Sequence, residues 1–446
     1  MNVLIIGHGA VSVSDYHWNR PVSMPLPGGV TKELAYDPLI RVKRITATDP
    51  AKAPEENKVM DYRYDYDKMD NITTRTTEHG NYGYGYDDLY RLTEADSPDG
   101  TGLSDEAFTY DKVGNRLTST DAPGPWAYNG NNALTARGDA TYEYDANGNM
   151  TKKVVAGVVT RFVYNLEDRL TQVWTGEAGS GDLIAEYYYD PFGRRLWKQV
   201  GAARTIFHYS DQGLIAEYDG AGNEVRAYGY KPDSLWTTDP LFMKTGGRYY
   251  FYHNDHLGTP QKMTDVSGAV VWSAKSESFG ETVVEVATVE NNLRFPGQYF
   301  DAETGLHYNW FRYYDPNTGR YLRKDPISFL GGDVNLYRYC LGNPIIFYDP
   351  KGRAVPLLLR PIYSILSNLF WNTVDRGDDD TADKQKEMDH DTDSDGLNDF
   401  FDTDDDNDGL LDNEDKDPKN FDPHLFDPPK NWKPKRGGMN MEPCFD

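Results

Sequence analysis

The densest chemistry in this chain lies toward its C-terminal end, where carboxylates recur at fixed spacing. Asp391, Asp393, Asp395, Asp399 and Asp402 occupy positions 1, 3, 5, 9 and 12 of a loop with Gly396 at position 6. Thirteen residues on, Asp404, Asp406, Asp408, Asp412 and Asp415 repeat the pattern with Gly409 in phase. Oxygen ligands at these positions, with a glycine at the sharp turn, are what a hard cation such as Ca2+ needs. Two loops in phase point to calcium rather than to an uncommitted acidic run. Without metal so many like charges repel and disorder the segment, whereas millimolar extracellular Ca2+ lets it fold into a compact rod. His253, Asp255 and His256 also invite a metal reading, but a zinc site needs at least one further placed ligand. Cys340 and Cys444 are far apart in sequence and make neither a disulfide framework nor a zinc spacing.

The elements that must position any site are written in aromatic residues. A phrase of alternating tyrosines and one aspartate recurs at Tyr64-Asp65-Tyr66-Asp67, Tyr84-Gly85-Tyr86-Asp87, Phe108-Thr109-Tyr110-Asp111, Tyr142-Glu143-Tyr144-Asp145 and Tyr187-Tyr188-Tyr189-Asp190, with looser copies between. Residues two apart on a strand share a face, so each aromatic pair lies side by side while the residue between points away. The aspartate then starts a turn, as in Asp111-Lys112-Val113-Gly114 and Asp145-Ala146-Asn147-Gly148, where it caps backbone NH groups and glycine takes a positive φ. Asp70, Tyr90 and Asp168 stand at the glycine position in other copies, at some cost in strain. A repeat of this length is one hairpin plus its connection. The predicted fold is mainly β: a spiralling array of antiparallel hairpins with a small α or irregular tail. The tyrosines read as scaffold rather than as catalysts.

Composition agrees. Tyrosine, at 33, outnumbers Phe and Trp together, and 41 Gly with 26 Pro suit a turn-dense β architecture. The formal charge of -25 is concentrated: Asp375–Asp417 holds 20 acidic and 4 basic residues, which leaves the rest only mildly acidic. With no broad basic surface and no helix with a basic face, nucleic-acid binding is not expected. Residues 1–13 are apolar but lack a basic start and a small-residue cleavage site, so no signal peptide is expected, and export would need a specialised route.

Between residues 250 and 352 a further set of motifs appears in order: Tyr250-Phe251-Tyr252-His253-Asn254-Asp255-His256-Leu257-Gly258, Leu293-Arg294-Phe295-Pro296-Gly297-Gln298-Tyr299, Gly305-Leu306-His307-Tyr308-Asn309-Trp310-Phe311-Arg312-Tyr313-Tyr314-Asp315-Pro316, Asp325-Pro326-Ile327 and Asp349-Pro350-Lys351-Gly352. With the upstream repeats, this resembles the RHS (YD-repeat) family with its repeat-associated core domain. It is likewise similar to the C component of insecticidal Tc toxins, to bacterial contact-dependent effectors and, more remotely, to the shell of teneurins. The resemblance implies a hollow β shell whose core block plugs one end and holds a variable C-terminal segment, often a toxin, until delivery. The expected partners are an immunity protein, secretion machinery in place of a signal peptide, and a shell-completing protein to make up for the few hairpins. In many relatives the core is an aspartyl peptidase that cuts the chain once, just after Asp-Pro-x-Gly-Leu. Such chemistry needs two carboxyls in proximity, one ionised and one neutral. The acids in the matching motifs are Asp315, Asp325 and Asp349, with Asp333 nearby. Asp325 is the expected member of the pair, its partner is left open, and Arg312 or Arg320 would position one of them. Arg353 stands where the usual signal has leucine. A pocket shaped for an apolar side chain would bury a guanidinium at a cost of several kcal/mol unless it is paired, which weighs against self-cleavage.

The expected organisation is an irregular lead-in over residues 1–60, hairpin repeats over 61–235, the core over 236–352, an amphipathic helix or linker over 353–374, calcium repeats over 375–420 and a flexible end over 421–446. Ile362, Ile365, Leu366, Leu369 and Phe370 follow Pro361 at helical spacing, while Arg360, the prolines and the polar residues among them argue against a membrane span. The calcium loops end in Asp rather than Glu and so resemble a thrombospondin type 3 repeat. Two functions fit. One is a partial shell that encloses or presents a C-terminal segment for delivery or intercellular competition. The other is a non-toxic surface protein that binds glycans or cells, with a calcium-stiffened tail. The tail carries no nuclease, deaminase or ribosyltransferase constellation. So few hairpins are expected to make only part of a wide shell.

Overall fold

The hairpins begin with their turns. At Asp111 the carboxylate Oδ1 accepts the NH groups of Val113 (3.0 Å) and Asn115 (2.8 Å), while Oδ2 accepts the Asn115 side-chain amide at 2.9 Å. Gly114, at φ 79°, returns its NH to the Asp111 carbonyl. One acid thus satisfies three donors that would otherwise point at solvent and pins the register of the two strands it joins. Asp67, Asp145 and Asp219 make the same turn with Asn71, Asn149 and Asn223. Asp37, Asp87 and Asp190 use Arg41, Arg91 and Arg194 instead, with the guanidinium taking Oδ2 at 2.7 Å. Asp70, Tyr90 and Asp168 take positive φ at the glycine position, as expected.

This computed structural model describes residues 2–353 except 1–3 residue gaps at 6–8, 18–19, 50, 54–56, 123, 179 and 232–233. The calcium loops and the amphipathic stretch after Pro361 lie outside the described residues. Within them the chain is almost wholly antiparallel sheet, and inside each sheet every strand pairs with its neighbours in sequence. A ten-stranded sheet runs from Asp15–His17 to Arg116–Ser119, and a sixteen-stranded sheet from Trp126–Tyr128 to Thr282–Ala287. A short two-stranded pair, Asn2–Ile5 with Gly9–Ser12, precedes them.

The aromatic pairs divide their work. The first member turns into the core: Tyr64, Phe108, Tyr142, Phe162, Tyr187 and Phe207 are all buried. The second sits closer to the turn and donates its hydroxyl to a backbone carbonyl one hairpin back. Tyr66 bonds Val42, Tyr86 bonds Ile72, Tyr110 bonds Leu92, Tyr128 bonds Arg116 and Tyr189 bonds Leu170, each at 2.6–2.7 Å. In these copies the tyrosine is therefore a staple between successive hairpins as well as apolar filling, whereas the Tyr164 hydroxyl is buried without a hydrogen bond.

The array also winds back on itself. Lys262 Nζ reaches the Val59 carbonyl at 2.8 Å, Lys32 Nζ the Asn254 carbonyl at 3.4 Å, and Tyr62 the Gln261 side chain at 3.3 Å. Early strands thus meet strands about 200 residues later, as in one turn of a spiral.

Two expected boundaries are corrected. Residues 1–60 are not an irregular lead-in, since Arg20–Pro25, Thr31–Tyr36 and Val42–Thr48 extend the first sheet. The reason lies in Tyr36-Asp37, which retains the staple to Pro21 (2.9 Å) and the capped turn although the first aromatic of the phrase is missing. The boundary at residue 235 falls inside the second sheet, which continues to Ala287.

After Ala287 the chain leaves the wall. A four-stranded sheet forms from Tyr299–Asp301, Leu306–Asn309, Arg312–Asp315 and Arg320–Tyr321, followed by loops with short 3-10 turns at Ser328–Gly331 and Cys340–Gly342. This plug is stitched along the row of hairpin turns. Asn343 donates to the Tyr90 carbonyl (2.8 Å), Asn335 to Asn115 (2.7 Å), Arg320 to Asn132 (2.6 Å), Tyr337 to Gly148 (2.8 Å) and Trp310 to Phe192 (3.3 Å). Charged pairs bind it from below: Lys153 holds Asp315 at 2.8 Å, and the fully buried Arg195 holds the fully buried Asp301.

Candidate functional site

Arg312 lies on the third strand of the plug sheet, buried beside the Tyr321 ring with its guanidinium 3.5 Å from the ring centre. Its Nη2 is shared by two carboxylates, Asp325 Oδ2 at 2.9 Å and Asp349 Oδ2 at 3.0 Å. The same side chain donates from Nε to the Gly352 carbonyl (2.6 Å) and from Nη1 to the Leu336 carbonyl (3.2 Å). Arg312 thus draws the Asp325 loop, the Asp349 loop and the end of the described chain onto one planar fork, which suits guanidinium geometry.

The two acids have unlike surroundings. Asp349 accepts the Tyr321 hydroxyl at 2.7 Å, and its Oδ1 accepts the Arg353 NH at 3.1 Å; its backbone carbonyl takes the Asn309 amide at 2.8 Å. Asp325 receives only the Ile327 NH at 3.0 Å besides Arg312. Burial pushes its pKa up to about 6; Arg312 and the Ile327 NH oppose that rise, and the charge on Asp349 adds to it. A small recess of about 20 Å³ opens beside them, lined by Asp325, Ser328, Gly331, Cys340, Asp349 and Arg353. At Gly331 a Cβ would stand 2.7 Å from the Arg353 carbonyl oxygen and 3.0 Å from Asp325 Oδ2, so only glycine lets that peptide and that carboxyl approach the same spot. Gly352 has φ 68° and packs against the Asn309 carbonyl, where a Cβ would come within 2.4 Å.

The candidate acids of the sequence therefore separate. Asp325 and Asp349 come together on Arg312, whereas Asp315 is held on Lys153 and caps its own turn through the Asn317 NH. Its pKa stays below the usual carboxylate range: burial raises it, but Lys153 and Asn317 outweigh that. Asp333 pairs with Arg338 at 2.7 and 2.9 Å. Arg320 is committed to Asn132 and Asn335, so Arg312 alone bridges the acids. Tyr321 and Asn309 were missed in the sequence, where each looks like one more member of an aromatic or turn motif. His253 is buried, with its pKa lowered to about 3 by burial and by Lys32 and Lys262, and its Nε2 meets Thr264 at 3.0 Å. The Nε2 of His256 meets the Ile345 carbonyl at 2.8 Å. Among the described residues no group of three His, Cys, Asp or Glu side chains is arranged to hold a metal ion, and no helix is long and apolar enough to cross a membrane.

A wall of aspartate-capped hairpins, wound through one turn and packed against a core block that gathers two acids and the chain exit on one arginine, defines a YD-repeat shell. The chain belongs to the Teneurin YD-shell family, whose profile matches residues 30–345. It is 32% identical over 367 residues to Double-stranded DNA deaminase toxin A of Burkholderia cenocepacia (strain H111), covering 75% of this chain and 25% of that protein. It is 34% identical over 233 residues to the Probable deoxyribonuclease RhsA of Dickeya dadantii (strain 3937), covering 50% of this chain and 16% of that one. Among solved structures, a Photorhabdus luminescens Tc holotoxin pore shares the fold, with TM-score 0.62 at 18% identity over 80% of this chain and 20% of the other. The chain thus spans a quarter or less of the length of these relatives.

Proposed function

We propose that this chain is part of a β shell that encloses and presents the segment after Arg353 for delivery, in the manner of toxin-delivering relatives. The observation that carries the reading is the plug: its polar side chains are fastened to the row of turns, and the chain exit passes through it beside Asp325 and Asp349. Limited proteolysis tests it. The tail contains many Lys and Arg, and in the intact chain it should survive trypsin at least roughly tenfold longer than the same segment expressed alone. Equal rates would rule out enclosure.

A second reading is favoured by Arg312: self-cleavage of the Arg353–Ala354 bond by Asp325 and Asp349. A water adds to the Arg353 carbonyl carbon as one carboxylate takes its proton. The protonated carboxyl of the partner then delivers a proton to the departing Ala354 nitrogen as the C–N bond breaks. A fragment beginning at Ala354 is its readout.

The tail's aspartate loops we read as calcium sites. Calorimetric titration of residues 375–420 should give saturable heat at millimolar Ca2+ or below, and its absence would sink that assignment.

A further inference from the structure

Arg353 departs from the leucine that the cleavage signal of similar chains carries, and the structure shows where its side chain goes. The guanidinium carbon lies 3.4 Å from the centre of the Phe311 ring. The Arg169 guanidinium approaches the same ring at 4.6 Å and donates to the neighbouring Trp310 carbonyl at 3.3 Å. Arg353 Nε is buried and makes no hydrogen bond, while the residue as a whole is half-buried, with the like charge of Arg169 and the carboxylate of Asp325 acting on it. Phe311 itself is held from both chain directions: its NH donates to the Lys351 carbonyl at 3.2 Å, and the next residue is Arg312. One short segment therefore carries both the ring under the side chain of residue 353 and the arginine that gathers the two acids.

We propose that Phe311 is the specificity-determining seat for residue 353, holding an arginine side chain by its π face so that the Arg353 carbonyl stays against Asp325 and Gly331. An aromatic face attracts a guanidinium electrostatically and costs it little hydration, which suits a half-buried cation at this position. A leucine at 353 needs no such ring, and an anionic or neutral polar side chain gains nothing from it. The proposal rests on the self-cleavage reading for its catalytic meaning, but the seat itself has a readout that does not.

The test uses the full chain in two arms. In the first, release of the fragment beginning at Ala354 is timed for the unaltered protein, Phe311→Leu, Phe311→Tyr and Arg353→Gln. Phe311→Leu and Arg353→Gln should slow release on the order of tenfold, and Phe311→Tyr should stay within about twofold because the ring is kept. In the second arm Asp325→Asn removes self-cleavage, and trypsin, which must extract the guanidinium to cut after Arg353, probes the seat directly. There Phe311→Leu should speed the cut at Arg353 by about the same factor, and Phe311→Tyr should not. If the unaltered chain releases no fragment, the self-cleavage reading fails, and the trypsin arm alone then upholds or overturns the seat. If release is slowed by Phe311→Leu while the tryptic rate is unchanged, Phe311 acts on something other than residue 353 and the proposal is wrong. It is equally wrong if neither rate moves.

Discussion

Asp301→Ala lowers the unfolding free energy by about 3–5 kcal/mol and loosens the plug from the wall. Arg195 and Asp301 are both fully buried and joined by two hydrogen bonds, one of them 3.0 Å from Nη2, and Lys198 adds a third at 3.0 Å. The guanidinium is further enclosed by the rings of Tyr187, Phe207, Tyr299 and Tyr308, 4.4–5.4 Å from its centre. Removing the carboxylate leaves a cation that can neither reach water nor lose its proton, and that uncompensated charge is the source of the loss. The double substitution Arg195→Met with Asp301→Leu should cost clearly less, because it removes both charges and keeps apolar volume. Burial raises the Asp301 pKa, but Arg195 and Lys198 together hold it below the usual carboxylate range. The sign follows: this stabilisation is complete above about pH 4 and is lost as pH falls through the lowered value. Urea unfolding of the unaltered protein and the two variants checks the ordering. A loss under about 1 kcal/mol for Asp301→Ala would mean that the pair does not hold the plug.

What could be read in the sequence was local. An aspartate, the two NH groups it caps and the residue at positive φ lie within five positions, so the turn at Asp111 is visible in its own letters. The staple from Tyr110 to the Leu92 carbonyl spans 18 positions and shows only as an unexplained preference for tyrosine. Arg195 and Asp301 are 106 positions apart, and no periodicity joins them. The same holds for the candidate site. Asp325 stood out as the expected member of the pair, but Asp315 and Asp349 also open Asp-Pro turns and left its partner open, and only the folded plug shows that Lys153, from the wall, takes Asp315 while Arg312 takes the other two. Nothing in the sequence links Arg353 to Phe311, a residue that looks like any other aromatic until its ring is found under the guanidinium. Sheet in the first 60 residues was missed for a related reason: Leu34-Ala35-Tyr36-Asp37 keeps the tyrosine and aspartate that make the staple and the turn, and lacks only the aromatic that fills the core.

Asp325→Asn should reduce release of the fragment beginning at Ala354 by about 10²–10⁴-fold, the range expected for loss of a general acid or base. Asp349→Asn should do the same, since the two carboxyls share one arginine nitrogen and neither can replace the other from where it is held. Asp333→Asn is the control: that acid lines the same recess but is bound to Arg338 by two hydrogen bonds, and its loss should change the rate by no more than about twofold. The pH profile adds a test that a purely structural role would not satisfy. Asp325 has a pKa raised to about 6, so its protonated form, able to donate to the leaving nitrogen, is the dominant one below that pH. The rate should therefore fall as pH rises through about 6, approaching tenfold per unit above it. Asp325→Asn should flatten that limb along with the rate. A fall on the alkaline side that survives in Asp325→Asn would assign the proton to another group. Release that continues at full rate in the same variant would remove the acid pair from the chemistry and leave Arg312 as a brace that ties the chain exit into the plug.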